Sequence, residues 1–141
     1  MNKVANAIIR LVSITVLSGG FLFFTQACSP TFNQTGFDNV VTLQPRVSAL
    51  MAKGVNPYAQ HAAEIDILLT DMQKAQDHAS TINKNENVAG AWNALNSEII
   101  RPFFSKWQRD GALNPLFINE SIKISDSSFE AMRKAEEAKK R

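Results

Sequence analysis

The sequence predicts an all-α protein, a small antiparallel bundle of three to five helices. Three observations carry that expectation. From residue 40 onward, apolar residues recur at steps of three and four, the period of a helix with one buried face. Asn56-Pro57 and Asn114-Pro115 have the form of helix starts, with Asn as the cap and Pro at the first helical position. Strand-favouring runs are short: Val40-Val41-Thr42-Leu43 and Ile122-Lys123-Ile124. Helices with one apolar face must bury it on one another, and a bundle of helices joined by turns does so.

Residues 1–28 are built differently. Lys3 and Arg10 make a basic head, residues 11–24 form an apolar run, and Ala27 precedes Cys28, the chain's one cysteine. No acidic residue occurs before Asp38. A positive head, an apolar stretch and a small residue before a cut are the layout of an export signal. Two other readings use the same residues. Thr25 and Ala27 suit an ordinary signal-peptidase site, and an apolar run of ~20 residues can stay in the bilayer as an anchor.

The position of Cys28 decides between its fates, since a single cysteine in an exported chain has no partner within the chain. The segment ending Thr25-Gln26-Ala27-Cys28 resembles the lipobox of bacterial lipoprotein precursors. That resemblance covers residues 1–28. It implies that residues 1–27 are removed as a signal peptide and that Cys28 receives a diacylglycerol and then an acyl group (palmitate among them). It also implies that Ser29, following the cysteine where an Asp would retain the protein at the inner membrane, sends it to the outer membrane. Several acyl chains anchor durably, because each buried CH₂ contributes about 0.8 kcal/mol.

Removing the signal alters the charge. The chain has 15 Lys and Arg against 13 Asp and Glu, and Lys3 and Arg10 leave with residues 1–27, so 114 residues remain with no net charge. Nucleic-acid binders gather a basic excess on one face, and here the one basic cluster is the extreme C-terminus. No nucleic-acid partner is expected. A chain of this size forms one domain. We therefore divide the sequence into the signal (1–27), a lipidated N-terminus and tether (28–39) and a single helical domain (40–141). The tether is polar, with Pro30 and Gly36, although Phe32 and Phe37 suit packing on the domain's edge.

The first helix is expected over 42–53, with Thr42 as cap, Pro45 in the first turn and Gly54 as the stop. Val40, Leu43, Val47, Leu50 and Met51 form its stripe. The second runs from Pro57 to about residue 83, with Tyr58, Ala62, Ile65, Leu69, Met72, Gln76 and Ala79 in one row, widened by Leu68, Ala75 and Ile82. Leu69 should face the bundle centre and Asp71 the solvent. The third carries Val88, Ala91, Trp92, Leu95 and Ile99 on one face, continued by Phe103 and Trp107. Pro102 inside that pattern should kink or break it. Beyond Asn114-Pro115, the Ser125-Asp126-Ser127-Ser128 run and the capping-box spacing of Ser127 and Glu130 favour two helices, near 115–124 and from 128 onward. Glu130–Lys134, Glu136–Lys140 and Glu137–Arg141 are spaced to pair along the last helix.

Chemistry-bearing patterns are sparse. His61 and His78 are 17 residues apart on one expected helix, about 25 Å along its axis, too far to share a metal. His61 and Glu64 reverse the Glu-x-x-His order of carboxylate-bridged bundles. No serine lies in a Gly-x-Ser-x-Gly or Ser-x-x-Lys motif, and Gly90 and Gly111 stand alone, so no phosphate loop forms. No enzyme, cofactor or metal is expected. The feature out of proportion is aromatic: Trp92, Phe103, Phe104, Trp107 and Phe117. The favoured reading puts most of them in the core around Pro102. As a surface patch they would be the residues that touch a partner or ligand. The mixed-charge tail suits a solvated helix end, with Lys139-Lys140-Arg141 a second, weaker candidate for contact with anionic lipid or wall polymer.

The functional expectation is a membrane-anchored envelope lipoprotein, lipid-held at the outer membrane and facing the periplasm. It would serve as a protein-interaction or structural accessory module with an envelope protein partner. The alternative is a binder of a small apolar ligand in a cavity of the bundle.

Overall fold

The structure, a computed structural model, describes residues 31–141. The export-signal reading and Cys28 fall outside the described residues. Among those described, every regular element is helical, so the all-α class and the small helical bundle hold.

Helix α1 (Gln34–Ala52) begins at Gln34, not at Thr42, because Asn33 caps it: its side-chain oxygen accepts the Gly36 N–H at 2.6 Å. Residues 34–39, expected as tether, are therefore helix, and Thr42 and Pro45 lie in the interior. Pro45 is tolerated at an exposed position among exposed Val41, Thr42 and Arg46. The apolar stripe is as expected, with Val40, Leu43, Val47, Leu50 and Met51 all buried.

Asn56-Pro57 does not start the next long helix. A 3₁₀ turn (Lys53–Val55) ends α1, Pro57 is extended, a second 3₁₀ turn spans Tyr58–Gln60, and α2 (Ala62–Thr81) follows. Tertiary bonds hold this segment away from helical geometry. The Trp107 indole donates to the Asn56 carbonyl at 2.9 Å, and the Tyr58 N–H donates to Gly111 O at 3.0 Å. The helix also presents a different face. Ile65, Leu68, Met72, Ala75 and Ala79 are buried, while Leu69 is half-buried at the edge. Asp71 is half-buried as well, and it accepts from Arg46 of α1 at 2.8 Å. That bond holds the Asp71 carboxyl below its usual range, so the tie is intact above the ordinary carboxylate pKa and lost as pH falls through the lowered one.

After a turn through Lys84 (φ 59°) come α3 (Glu86–Ala94), a π-helical segment (Leu95–Ile100) and α4 (Arg101–Asp110). The break expected at Pro102 is realised as this widened stretch. The Arg101 N–H reaches five residues back to Asn96 O, and Pro102 then falls in the first turn of α4, where a missing donor costs nothing. The insertion shifts the buried face by one residue, so Ile100 is buried and Ile99 half-exposed.

Gly111 (φ 80°) closes α4, with its N–H on Trp107 O. The last region is one helix, α5 (Pro115–Ala138), not two. Its buried residues are Ile118, Ser121, Ser125, Phe129, Met132 and Glu136, an unbroken 3–4 period. The run does not act as a cap: Ser125 is buried with its hydroxyl unpartnered, and Asp126 accepts from Gln44 and Ser48 of α1.

Contacts along each pair give the topology. Asn33–His78, Arg46–Asp71 and Lys53–Glu64 run α1 against α2. Gln76–Asn93 and Gln73–Arg101 run α2 against α3 and the start of α4. Trp92–Phe129 and Asn85–Lys139 run α3 against α5, and Ser48–Asp126 runs α5 back against α1. Neighbours are antiparallel throughout, and α5 closes the ring on α1. Both ends of the described chain lie at one tip of the bundle, and residues 53–60 and 107–118 lie at the other.

The facing of α2 is testable in a chain beginning at residue 31, which should be helical by circular dichroism and melt cooperatively. Leu68→Ala should cost about 2–5 kcal/mol, as for a buried leucine. Leu69→Ala should cost clearly less, in urea melts of the two variants. Equal losses would mean that α2 is rotated from the position described.

Candidate functional site

The five aromatic residues separate into core and surface. Trp92 packs edge-on against Phe129 of α5, centroids 5.7 Å apart, and is 1 % exposed. Phe103 and Phe104, adjacent in sequence, are both buried and meet edge-to-face at 5.4 Å. They bury together because α4 is covered on two sides, by α5 and by the segment after α1. Phe103 reaches toward Phe117 and Gly54, and Phe104 lies against Trp107. Trp107 is fully buried, with Tyr58 edge-on at 5.7 Å and the His61 ring at 5.6 Å. A contact patch made of all five is thus not formed; four of them are core. Phe117 alone of the set is exposed, at 38 %.

Phe117 stacks flat on Phe103, centroids 5.7 Å and planes 5° apart. That pair lines an open groove of about 500 Å³ between the π segment with α4 on one side and α5 on the other. Ile99, Pro102 and Ile124 complete its apolar lining, and Lys106, Arg109 and Glu98 stand at its rim. Phe117, Ser121 and Ile124 are spaced four and three along α5, which puts them on one face. Leu116 (70 % exposed) and Ile124 (54 %) extend the apolar surface beside it. Lys106 places its ammonium 5.6 Å from the Phe117 centroid and bonds Asp110 at 2.6 Å. Hydrogen bonding from Lys106 holds the Asp110 carboxyl below its usual range, so the rim is charged at neutral pH. The π segment is what gives the groove its wall, since it turns Ile99 outward and Phe103 inward.

The histidines do not approach each other. His61 lies against Trp107 with Nδ1 3.7 Å from Glu64, and its buried Nε2 lacks a hydrogen-bond partner. His78 contacts the cap oxygen of Asn33 at 3.1 Å. Among the described residues no group of three His, Cys, Asp or Glu is arranged to hold a metal ion, and no helix is long and apolar enough to cross a membrane.

A second cluster escaped sequence reasoning. At the tip where the described chain begins, Glu136 is 1 % exposed and accepts from Lys139 Nζ at 2.8 Å. Lys139 also donates to Asn85 Oδ1 at 2.6 Å, and Asn85 donates to Ala79 O. Glu136 thus pairs with Lys139 and not Lys140, and Glu137 with Arg133 and not Arg141; Glu130–Lys134 forms as expected, at 3.5 Å. Lys140 is taken elsewhere: its ammonium sits 4.4 Å and 4.6 Å from the ring centroids of Phe32 and Phe37. In the sequence this tip was marked by Phe32 and Phe37, two aromatics inside an otherwise polar stretch, and by the basic run Lys139-Lys140-Arg141; the buried Glu136–Lys139–Asn85 cluster was not.

The separation of core from groove predicts unequal costs. Phe104→Ala should destabilise by about 3–5 kcal/mol. Phe117→Ala, which removes a partly exposed ring, should cost about 1 kcal/mol, with thermal melts as the measure.

Comparison of the chain with protein-family models, with curated proteins and with solved structures finds no match.

Proposed function

We propose that this protein is an envelope lipoprotein that holds a protein partner, anchored through Cys28 at the outer membrane and facing the periplasm. Its work is binding and not catalysis. The observation that carries the interaction reading is the groove lined by the Phe103–Phe117 stack, with Leu116 and Ile124 exposed beside it. An apolar lip with charged residues at its rim is the anatomy of a surface that docks a partner's side chains. The anchoring half rests on the basic head, the apolar run and Ala27-Cys28.

A surface groove suits the molecule better than an internal ligand cavity. Trp92, Phe104, Trp107 and Phe129 occupy the interior, each 2 % exposed or less. The groove also lies well away from the anchored tip, since Ile124 and Lys140 are about 24 Å apart along α5 at 1.5 Å per residue. A partner could engage it without competing with the membrane.

Two measurements test the halves separately. Metabolic labelling with a clickable fatty acid should mark the wild-type protein, and Cys28→Ser should abolish the label and leave an uncleaved precursor; label on the variant would sink the anchor. A photo-crosslinking residue placed at Phe117 should give one discrete protein adduct in intact cells, lost in Ile124→Asp. The same residue placed at Ile67, exposed at 60 % on the far side of the bundle, should give none. Equal adducts from both positions would remove the groove from consideration.

A further inference from the structure

We infer that the tip formed by Phe32, Phe37, Lys84, Lys139, Lys140 and Arg141 is a docking surface for anionic phospholipid, and that the bundle stands on the bilayer through it. The inference rests on the anchor reading above and adds an orientation and a lipid chemistry to it.

Distance alone brings this tip to the membrane. Phe32 lies four residues after Cys28, at most about 14 Å even if that stretch were fully extended. Electrostatic attraction to headgroups operates over a Debye length of about 8–10 Å, so charges at the tip fall within or near its range.

The chemistry of the tip suits that neighbour. A groove of about 360 Å³ opens between the start of α3 and the end of α5. Its floor is apolar, from Val88, Ala135 and Ala138, the largely buried Lys139 closes one side, and Lys84 and Arg141 complete the lining. Lys139 spends two of its three protons on Asn85 and Glu136. The first turn of α3 faces the same groove through Asn87 and Val88, and Asn85, its capping residue, makes no side-chain bond to it. Uncapped N–H groups at a helix start favour a phosphate oxygen. Beside the groove, the Phe32 and Phe37 rings, 6.0 Å apart and half-buried, hold the Lys140 ammonium between them without neutralising it. A lysine with its ammonium over apolar rings can keep that charge at headgroup level. The acids do not cancel the charge of the tip: Glu136 is matched by Lys139 and Glu137 by Arg133, which leaves Glu86 against Lys140 and Arg141, with Asp38 and Asp77 a turn further from it.

The test uses the full acylated chain in vesicles that contain a headgroup spin-labelled lipid. A fluorophore is attached through Asn83→Cys at this tip or Val55→Cys at the other, Cys28 being blocked by its lipid. With about a quarter phosphatidylglycerol, enough to give the surface a negative potential, quenching at position 83 should exceed that at 55 several-fold. The excess should largely disappear in pure phosphatidylcholine, and in a Lys84→Glu, Arg141→Glu double variant. Acylated protein quenched equally at both positions, or indifferent to phosphatidylglycerol, overturns the docking surface and leaves the anchor standing. Absence of fatty acid on Cys28 overturns the anchor reading, and the inference falls with it.

Discussion

The constraint on which the rest depends is the continuous buried face of α5. Its residues at 118, 121, 125, 129, 132 and 136 stay on the axis for the whole height of the bundle. Every other layer is set against them. Gly54 meets Ile118 closely, since an added Cβ would lie 3.1 Å from the tip of the Ile118 side chain, which would have to shift by a few tenths of an ångström to admit it. Ser125 is small enough to let α1 come close, and the neighbouring Asp126 ties down Gln44 and Ser48. Phe129 receives the edge of Trp92. At the tip, the buried Glu136 carboxyl accepts from Lys139 through Oε1 and leaves Oε2 without a partner, and Asn85 holds the Lys139 ammonium from the other side. Removing one partner of such a pair leaves an uncompensated buried charge, which costs more than the intact pair contributes.

The two ends of the bundle then take on different characters from the same helices. One collects the capping Asn33, the buried Glu136–Lys139 pair and the Phe32–Phe37 clamp on Lys140. The other collects the aromatic stack of Tyr58, His61, Trp107, Phe103 and Phe117. The π segment separates them. By shifting the buried register one residue before Pro102, it brings Phe103 and Phe104 together onto the covered side of α4. A groove at one end of a small domain and the tip nearest Cys28 at the other fit the membrane-held binding module proposed above.

Much of this was legible in the sequence. The stripe of α1, the helical class and the trouble at Pro102 follow from period and backbone chemistry alone. What was not legible depended on tertiary partners. The start of α1 at Gln34 rests on the Asn33 cap, a local signal that the polar, Pro- and Gly-bearing composition of residues 28–39 outweighed in the sequence. Leu68 in place of Leu69 reflects a small rotation of α2 that a stripe containing both residues cannot fix. The serine run of α5 has the composition of a cap, and only the nearness of α1 turns its Asp126 to interhelical bonding, while Ser125 is buried without a partner and Ser128 bonds back to Ile124 O. The aromatic group was readable as core in the main, but no local signal singles out Phe117 as its exposed member.

The central claim is that a lipid-held N-terminus carries this helical module, and intact mass of the protein extracted from membranes tests it most directly. The account predicts a 114-residue chain beginning at Cys28 and heavier than its amino acids by a diacylglycerol and an acyl chain. The mass of the full 141-residue chain, or of a shortened chain without lipid, would contradict it.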